Sequence, residues 1–342
     1  MEDMLAITHE FQLLLPRYII FGSDAVQRVG SEAKRLGASK ILVVTSHGMV
    51  KRVCMKQVTS SLSSHGLRFK IFTGVVPEPT VENAQACLSE AKAFGVDLLV
   101  GLGGGSVLDV TKKVASDLAL GKILMPATAG TGSEVTNISV LKVQGRKKVL
   151  INDSFIADVA IVDPTLGLTM PPKLAASTGM DALAHATECY QSKRANPVTK
   201  ALAKEAFTII KENLRAAVAG DAKARVNMSL ASLIAGIAFG NSGTTLGHAL
   251  SFPLSDEGIP HGEAVGVMLP YALEYNGFDR EIIREVKTLI ADLNIRVAIK
   301  GDIHEMAKKV MTDERHLANN PRDVRLADVV DIYEKFKRES RS

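Results

Sequence analysis

The chain reads as an α/β N-terminal domain with a Rossmann-like parallel sheet, followed by an all-α C-terminal domain. Three observations predict this. Between residues 18 and 164, short β-branched apolar runs alternate with helical stretches, the pattern of a parallel sheet covered on both faces. After Pro164 the strand signal stops and long helical periodicity takes over. One of the apolar runs empties into Gly103-Gly104-Gly105, a turn suited to the mouth of a parallel sheet. With 342 residues, two domains of 1–164 and 165–342 each have enough chain for a core of their own.

Taken in order, strands are expected over 41–45, 69–73, 98–102, 123–125 and 159–162, where runs rich in Val, Ile and Leu are short and bounded by turns. Helices are expected over 25–36, 49–63, 80–94 and 106–118. The stretch 138–151 alternates about Gly145 and reads as a hairpin. In the second half, helices are expected over 172–190, 197–217 and 222–239, then in a long segment from His248, then over 281–293. Few residues separate Asn276 from Glu281, which trims this half.

Composition narrows the function. Apolar residues make up 46% of the chain, yet no run approaches the roughly 20 residues needed to span a bilayer. The opening Met-Glu-Asp-Met lacks a basic region ahead of an apolar stretch, so no signal peptide is read. Cys54, Cys87 and Cys189 show neither zinc-finger nor redox spacing, and a cytoplasmic location is expected. The net charge of +4 is small, and acids and bases alternate along 280–287, the habit of a solvated helix face. Arg146-Lys147-Lys148 reads as a hairpin-turn cluster, and with no Trp there is no stacking surface for bases. Nucleic acid and membrane are therefore excluded as partners.

Three motifs carry chemistry. Asp181 and His185 lie four apart in an expected helix and project from one face. His248 and His261 follow some sixty residues later. Taken singly, each histidine is more often a hydrogen-bonded or surface side chain than a ligand, and Asp181 with His185 is also an ordinary helix pair. Together, one carboxylate and three imidazoles form an N/O set suited to Fe(II) or Zn(II) and too nitrogen-rich for Mg or Ca. In the second motif, Gly103, Gly104 and Gly105 join a strand to a helix with Ser106 as expected N-cap. Such a junction offers free N–H groups to phosphate oxygens, or is simply a tight turn. In the third, Pro126 to Thr136, Thr128, Thr131 and Ser133 offer hydroxyls to the same pyrophosphate or to a nicotinamide amide. Thr131 and Glu134 have the spacing of a capping box.

In this order Gly103-Gly-Gly-Ser-Val-Leu-Asp109, Pro126-Ala-Thr-Ala-Gly-Thr-Gly-Ser-Glu-Val-Thr136, Gly179-Met-Asp-Ala-Leu-Ala-His185 and Ile259-Pro-His-Gly262 resemble the iron-containing (group III) alcohol dehydrogenase family, with its dehydroquinate synthase-like fold. The likeness runs from about Tyr18 to Phe336. It implies that Asp181, His185, His248 and His261 hold one divalent metal, Fe(II) or Zn(II), with a position open to the oxygen of a small alcohol or aldehyde. It implies further that a nicotinamide dinucleotide exchanges hydride with that substrate, and that the chain forms a homodimer or higher homo-oligomer through its N-terminal domain. Asp109 either braces the glycine turn or meets the nicotinamide amide.

Two features depart from the family. Many members carry a second histidine four residues after the one matched by His248; here that position is Phe252, so proton exchange needs another route. The trimmed stretch after Asn276 is the other. Where NAD-using relatives often place an Asp after the first strand, this chain has Ser46-His47, with Lys51 and Arg52 soon after. Loss of that carboxylate removes the repulsion of a 2′-phosphate, which favours NADP(H) while leaving NAD(H) compatible. Ser46 could equally cap the helix that follows. The fold also accommodates a dehydroquinate synthase-like lyase or a sugar-phosphate or polyol dehydrogenase. Phe252 and the trimming leave room for a third reading, a protein that keeps the site but serves as a binding scaffold.

Overall fold

A computed structural model describes residues 10–340. The strands are β1 (Tyr18–Phe21), β2 (Lys40–Val44), β3 (Arg68–Phe72), β4 (Leu98–Gly103), β5 (Gly121–Pro126), β6 (Ile138–Val143), β7 (Arg146–Ile151) and β8 (Val159–Val162). Among them run α1 (Val29–Arg35), α2 (Val53–Ser64), α3 (Val81–Phe94) and α4 (Gly105–Asp117). Six strands form one parallel sheet in the order β1-β8-β5-β4-β2-β3. Ile41 and Val43 face one helical layer, with Val58 and Leu62, while Leu42 and Val44 face the other, with Cys87 and Val110. Both faces of the central strands are therefore buried, which explains the apolar runs Ile41–Val44 and Leu98–Leu102; the edge strand β3 is only partly covered and carries Arg68 and Lys70. The chain moves from β2 outward to β3, then returns to the far side of β2 for β4 and β5. The crevice where direction reverses lies between the carboxyl ends of β2 and β4.

The strands expected from sequence all form, shifted by no more than a residue or two. β1 was not foreseen; it pairs with β8, some 140 residues away, at the sheet edge. β6 and β7 make the expected hairpin, with Gln144 and Gly145 both at positive φ in a two-residue turn. Its Lys142 N–H donates to Pro79 O at 2.8 Å, which docks the hairpin beside the sheet. The expected helix over 25–36 divides into a 3₁₀ turn, Ala25–Arg28, and α1; that over 49–63 starts only at Val53.

Everything after Val162 is helical: α5 (Pro172–Gln191), α6 (Pro197–Ala219), α7 (Ala222–Ser242), α8 (Leu246–Asp256), α9 (His261–Tyr275), α10 (Arg280–Asp292), α11 (Ile303–Met311), α12 (Glu314–Asn319) and α13 (Leu326–Glu339). The long segment expected from His248 is thus two helices, broken by Gly258 at positive φ and by Pro260 at the cap of α9. α5 is the axis of this half, with nearly every residue from Ala175 to Cys189 buried. Val135, Ala160, Val162 and Leu233 join the halves in one apolar cluster. At that seam Gly132, at φ 55°, runs so close to α7 that a Cβ would lie 2.5 Å from the Cα of Gly236. Among the described residues no helix is long and apolar enough to cross a membrane.

Candidate active site

A cleft of about 600 Å³ opens between the sheet's carboxyl edge and the helical half. Asp181 and His185 enter it from α5, His248 from the first turn of α8, and His261 from the first residue of α9. Asp181 Oδ1 lies 3.8 Å from His185 Nε2, 3.8 Å from His248 Nε2 and 3.6 Å from His261 Nε2. The donor atoms of Asp181, His248 and His261 are all within 4.8 Å of one another; the expected fourth member, His185, is not part of that mutually close set and approaches it at Asp181. These separations are too long for hydrogen bonds. They approach the edge of a tetrahedron around an ion with bonds near 2.1 Å, which is about 3.4 Å.

The second ring nitrogens fix the orientation of two imidazoles. His185 Nδ1 meets Gly130 O at 3.2 Å, in the loop after β5, and its ring stacks on Phe239 with centroids 3.9 Å apart. His248 Nδ1 meets Glu188 Oε2, and the other oxygen of Glu188 accepts from Thr245 N, Thr245 Oγ1, Gly247 N and His248 N. Glu188 follows Asp181 by seven residues on the same face of α5. That spacing was available in the sequence, yet only the fold identifies the residue as the support of His248.

Burial governs the charges. It pushes Asp181 up to about 7 against the pull of His248 and Lys147, and drives His185 and His261 well below the usual imidazole range, so both are neutral with lone pairs to offer. Burial would also raise Glu188, but the facing His248 and the hydrogen bonds it accepts hold it at about 2. Glu188 in turn raises His248 against the effect of burial.

Across the cleft stand the glycine turn and the threonine loop. Gly104, not Ser106, is the N-cap of α4; Ser106 lies inside the helix and its hydroxyl accepts from Glu78 N at 3.3 Å. Gly103 is packed against Val107 and Gly105 against Thr131, where a Cβ would come within 2.6 Å and 2.9 Å, while Gly104 faces Thr128 across 3.5 Å. The expected capping box at Thr131 and Glu134 is absent. Only a three-residue 3₁₀ turn forms there, Thr131 Oγ1 accepts from Ser133 N, and Glu134 is buried with Oε2 unpartnered among the described residues. Asp109 is a brace: its carboxylate accepts from Ser133 Oγ at 2.7 Å and Val140 N at 3.0 Å. Beneath it the fully buried Lys112 donates to Ser133 Oγ, Thr136 Oγ1 and Ile138 O, with burial pulling it down to about 8. Ser46 sits at the carboxyl end of β2, where its side chain makes no capping bond, so the helix-capping alternative does not hold.

Several polar and charged lining residues went unread in the sequence. Lys147 of β7 reaches into the cleft and pairs with Glu78 at 2.7 Å instead of capping the hairpin turn. Arg315 and His316 arrive from α12, and Ser255 from α8. Phe252 packs its ring over His261 at 6.0 Å and edge-on to His316 at 5.5 Å, so the position of the family's extra histidine is an apolar wall.

The sequence profile of the iron-containing alcohol dehydrogenase family matches residues 16–164, and that of the family's C-terminal region matches 175–293. The long-chain-alcohol dehydrogenase 1 of Geobacillus thermodenitrificans is 36% identical, covering 94% of this chain and 96% of that protein. Its alignment spans 378 positions, more than the 342 residues here, so that relative carries segments with no counterpart in this chain. A crystal structure of 1,3-propanediol oxidoreductase superposes with a TM-score of 0.92 at 31% identity, covering 96% of this chain and all of the other. Sulfoacetaldehyde reductase from Bifidobacterium kashiwanohense, solved in complex with NAD+, superposes at 0.89 and 30% identity, covering 96% and 99%. The chain belongs to the iron-containing alcohol dehydrogenase family.

Proposed function

We propose that this oxidoreductase interconverts a small alcohol and its aldehyde, with Asp181, His185, His248 and His261 holding Fe(II) or Zn(II) and the glycine turn holding a nicotinamide dinucleotide. The observation that carries this reading is a set of buried polar atoms left without protein partners: Asp181 Oδ1 and His248 Nε2 point at one spot and make no hydrogen bond among the described residues. Leaving them so costs on the order of 1–3 kcal/mol each, and a divalent cation among them removes that cost. When bound, the ion supplies a Lewis acid for the reacting oxygen and the dinucleotide donates or accepts hydride.

The chain's own residues do the rest. Glu188 and the Gly130 carbonyl keep Nδ1 of His248 and His185 protonated and turn Nε2 toward the site. Gly104, Thr128 and Thr131 form a wall where backbone N–H groups at the start of α4 would hold phosphate, and Asp109, Ser133 and Lys112 brace that wall. Phe252 and Phe239 keep water from the reacting carbon.

The open crevice at Ser46, with no carboxylate in its place, supports NADP(H) over NAD(H). Domains of 1–164 and 165–342 agree with the last strand ending at Val162 and with the break between the two matched regions. The free edge of β1, with Tyr18 and Phe21 exposed, supports a homodimer through the N-terminal half, and we assign the protein to the cytoplasm.

Metal analysis of anaerobically purified protein, paired with NADPH and NADH oxidation over an aldehyde panel before and after chelation, tests the whole reading. Stoichiometric metal is expected, with turnover lost on chelation and in Asp181→Ala and His261→Ala. Turnover that survives chelation and both substitutions would reject it.

A further inference from the structure

Arg315 is a charged part of the cleft that the reaction leaves without a task. It lines the same cavity as the metal donors from the short helix α12, is half-buried, and makes no hydrogen bond or ion pair with any described residue. Its sequence neighbour Asp313 is not available, because that carboxylate is engaged by His316 Nδ1 at 2.6 Å and accepts from His316 N at 3.3 Å. Arg194 adds a second positive charge nearby. The other cation at the cleft, Lys147, is paired with Glu78, a carboxylate it shares with Lys142. Arg315 is therefore a permanent charge, partly stripped of water and lining a cavity, with no hydrogen-bonding or ion-pair partner among the described residues and only the through-space attraction of Asp313. A charge partly stripped of water is costly unless paired, and the cavity that Arg315 lines can supply a partner.

Its position relative to the chemistry is also fixed. The guanidinium lies near enough for its charge to oppose protonation of His248. Phe252 lines the cleft with it, beside His261 and His316. A substrate whose reacting oxygen sits among Asp181, His185, His248 and His261 can lay its carbon chain along Phe252 and present its far end to Arg315.

We infer that Arg315 is a specificity-determining residue that anchors a carboxylate or sulfonate at the far end of the substrate, so that the preferred substrates are short anionic aldehydes and their alcohols. This rests on the dehydrogenase reading above. The planar fork of Arg suits a bidentate contact with either group. A charge-assisted contact of that kind is expected to favour the anionic substrate by about 10- to 100-fold.

The test compares 4-oxobutanoate with butanal on the metal-loaded protein, reading the ratio of kcat/KM for the two. The wild type is expected to favour 4-oxobutanoate at least about 10-fold, with Arg315→Met abolishing most of that ratio and Arg315→Lys keeping part of it. Thermal melts check that each variant folds; should Arg315→Met fail to, the wild-type ratio and Arg315→Lys decide. A wild-type ratio near one, or a ratio unmoved in Arg315→Met, overturns the inference. So does an effect of Arg315→Met that falls on the KM for NADPH instead, since the anion it meets would then be the cofactor's pyrophosphate. Calorimetry with 4-hydroxybutanoate and 1-butanol separates the two readings. Arg315-dependent binding of 4-hydroxybutanoate without turnover of any aldehyde upholds the anchor and rejects the redox reading. Turnover of neutral aldehydes without preference does the reverse.

Discussion

Glu188 performs two tasks that a single substitution can separate. One oxygen accepts from Thr245 N at 3.1 Å, Thr245 Oγ1 at 2.8 Å, Gly247 N at 2.8 Å and His248 N at 3.3 Å, closing the first turn of α8, where Asn320 Oδ1 takes only Leu246 N. The other oxygen accepts from His248 Nδ1 and so leaves Nε2 deprotonated toward the site. In Glu188→Gln the amide oxygen can still serve the four helix donors, but then its NH2 faces His248 Nδ1. That nitrogen must become an acceptor, and the proton moves to Nε2, the atom required as ligand. Loss of such a supporting group costs about 10- to 100-fold in metal affinity, or roughly 1.4–2.7 kcal/mol. Glu188→Ala strips the helix donors as well, leaving two or more buried N–H groups bare at about 1–3 kcal/mol each. The assay is competitive metal titration against a chelator, run beside urea unfolding of the metal-free protein. Glu188→Gln should lose metal affinity with little loss of stability, and Glu188→Ala should lose both. If Glu188→Gln binds metal within twofold of wild type, Glu188 is a helix cap and the tautomer argument is wrong.

Three further outcomes are expected. Burial raises Glu134 from an ordinary 4.5 to about 7 in the fold, so the stability it permits is full below pH 4.5 and declines as pH rises through 7. Glu134→Gln should thus match wild type at pH 4.5 and exceed it at pH 8 by up to about 3 kcal/mol, read from urea midpoints. Gly262→Ala would place a Cβ 1.9 Å from the backbone oxygen of Ser177, so α9 must shift from α5 and carry His261 with it. A destabilisation of about 3 kcal/mol with weakened metal binding is expected by the same two assays. Ser46→Asp restores a carboxylate at the end of β2 and should turn the ratio of kcat/KM for NADPH over NADH toward NADH by about 10-fold or more; an unchanged ratio would remove Ser46 from the adenosine site.

What the sequence made legible follows from how local each signal is. Ile41 to Val44 and Leu98 to Leu102 announce strands because both faces of the sheet are buried there and the runs carry no polar side chain. Asp181 and His185 could be placed together because helical spacing alone puts them on one face. Tyr18–Phe21 could not be read as a strand because its only partner, β8, is supplied from across the fold. The capping errors at Ser106 and Thr131 have a shared cause. A hydroxyl beside glycine invites a cap in the sequence, but Gly104 reaches the N-cap conformation unaided, and the turn at Gly132 leaves room for only three helical residues. Arg315, His316 and Lys147 carry no periodic signal, since their role depends on which surface α12 and the hairpin are folded against.

The same geometry ties the two halves into one device. His185 belongs to the helical half, yet its orientation is set by Gly130 O, in the loop that also presents Thr128 and Thr131 to the glycine turn. That loop can approach only because Gly132 and Gly236 lack side chains where it crosses α7, and because Gly130 lies against Thr178 on α5, where a Cβ would meet backbone at 2.7 Å. A side chain at any of these points would lift the dinucleotide wall away from the metal donors and release His185 Nδ1 together. The spacing between the Asp181–His185 turn of α5 and the threonine loop is therefore set by backbone-to-backbone contact at the seam, and a metal and a nicotinamide held on these two sides would inherit that spacing.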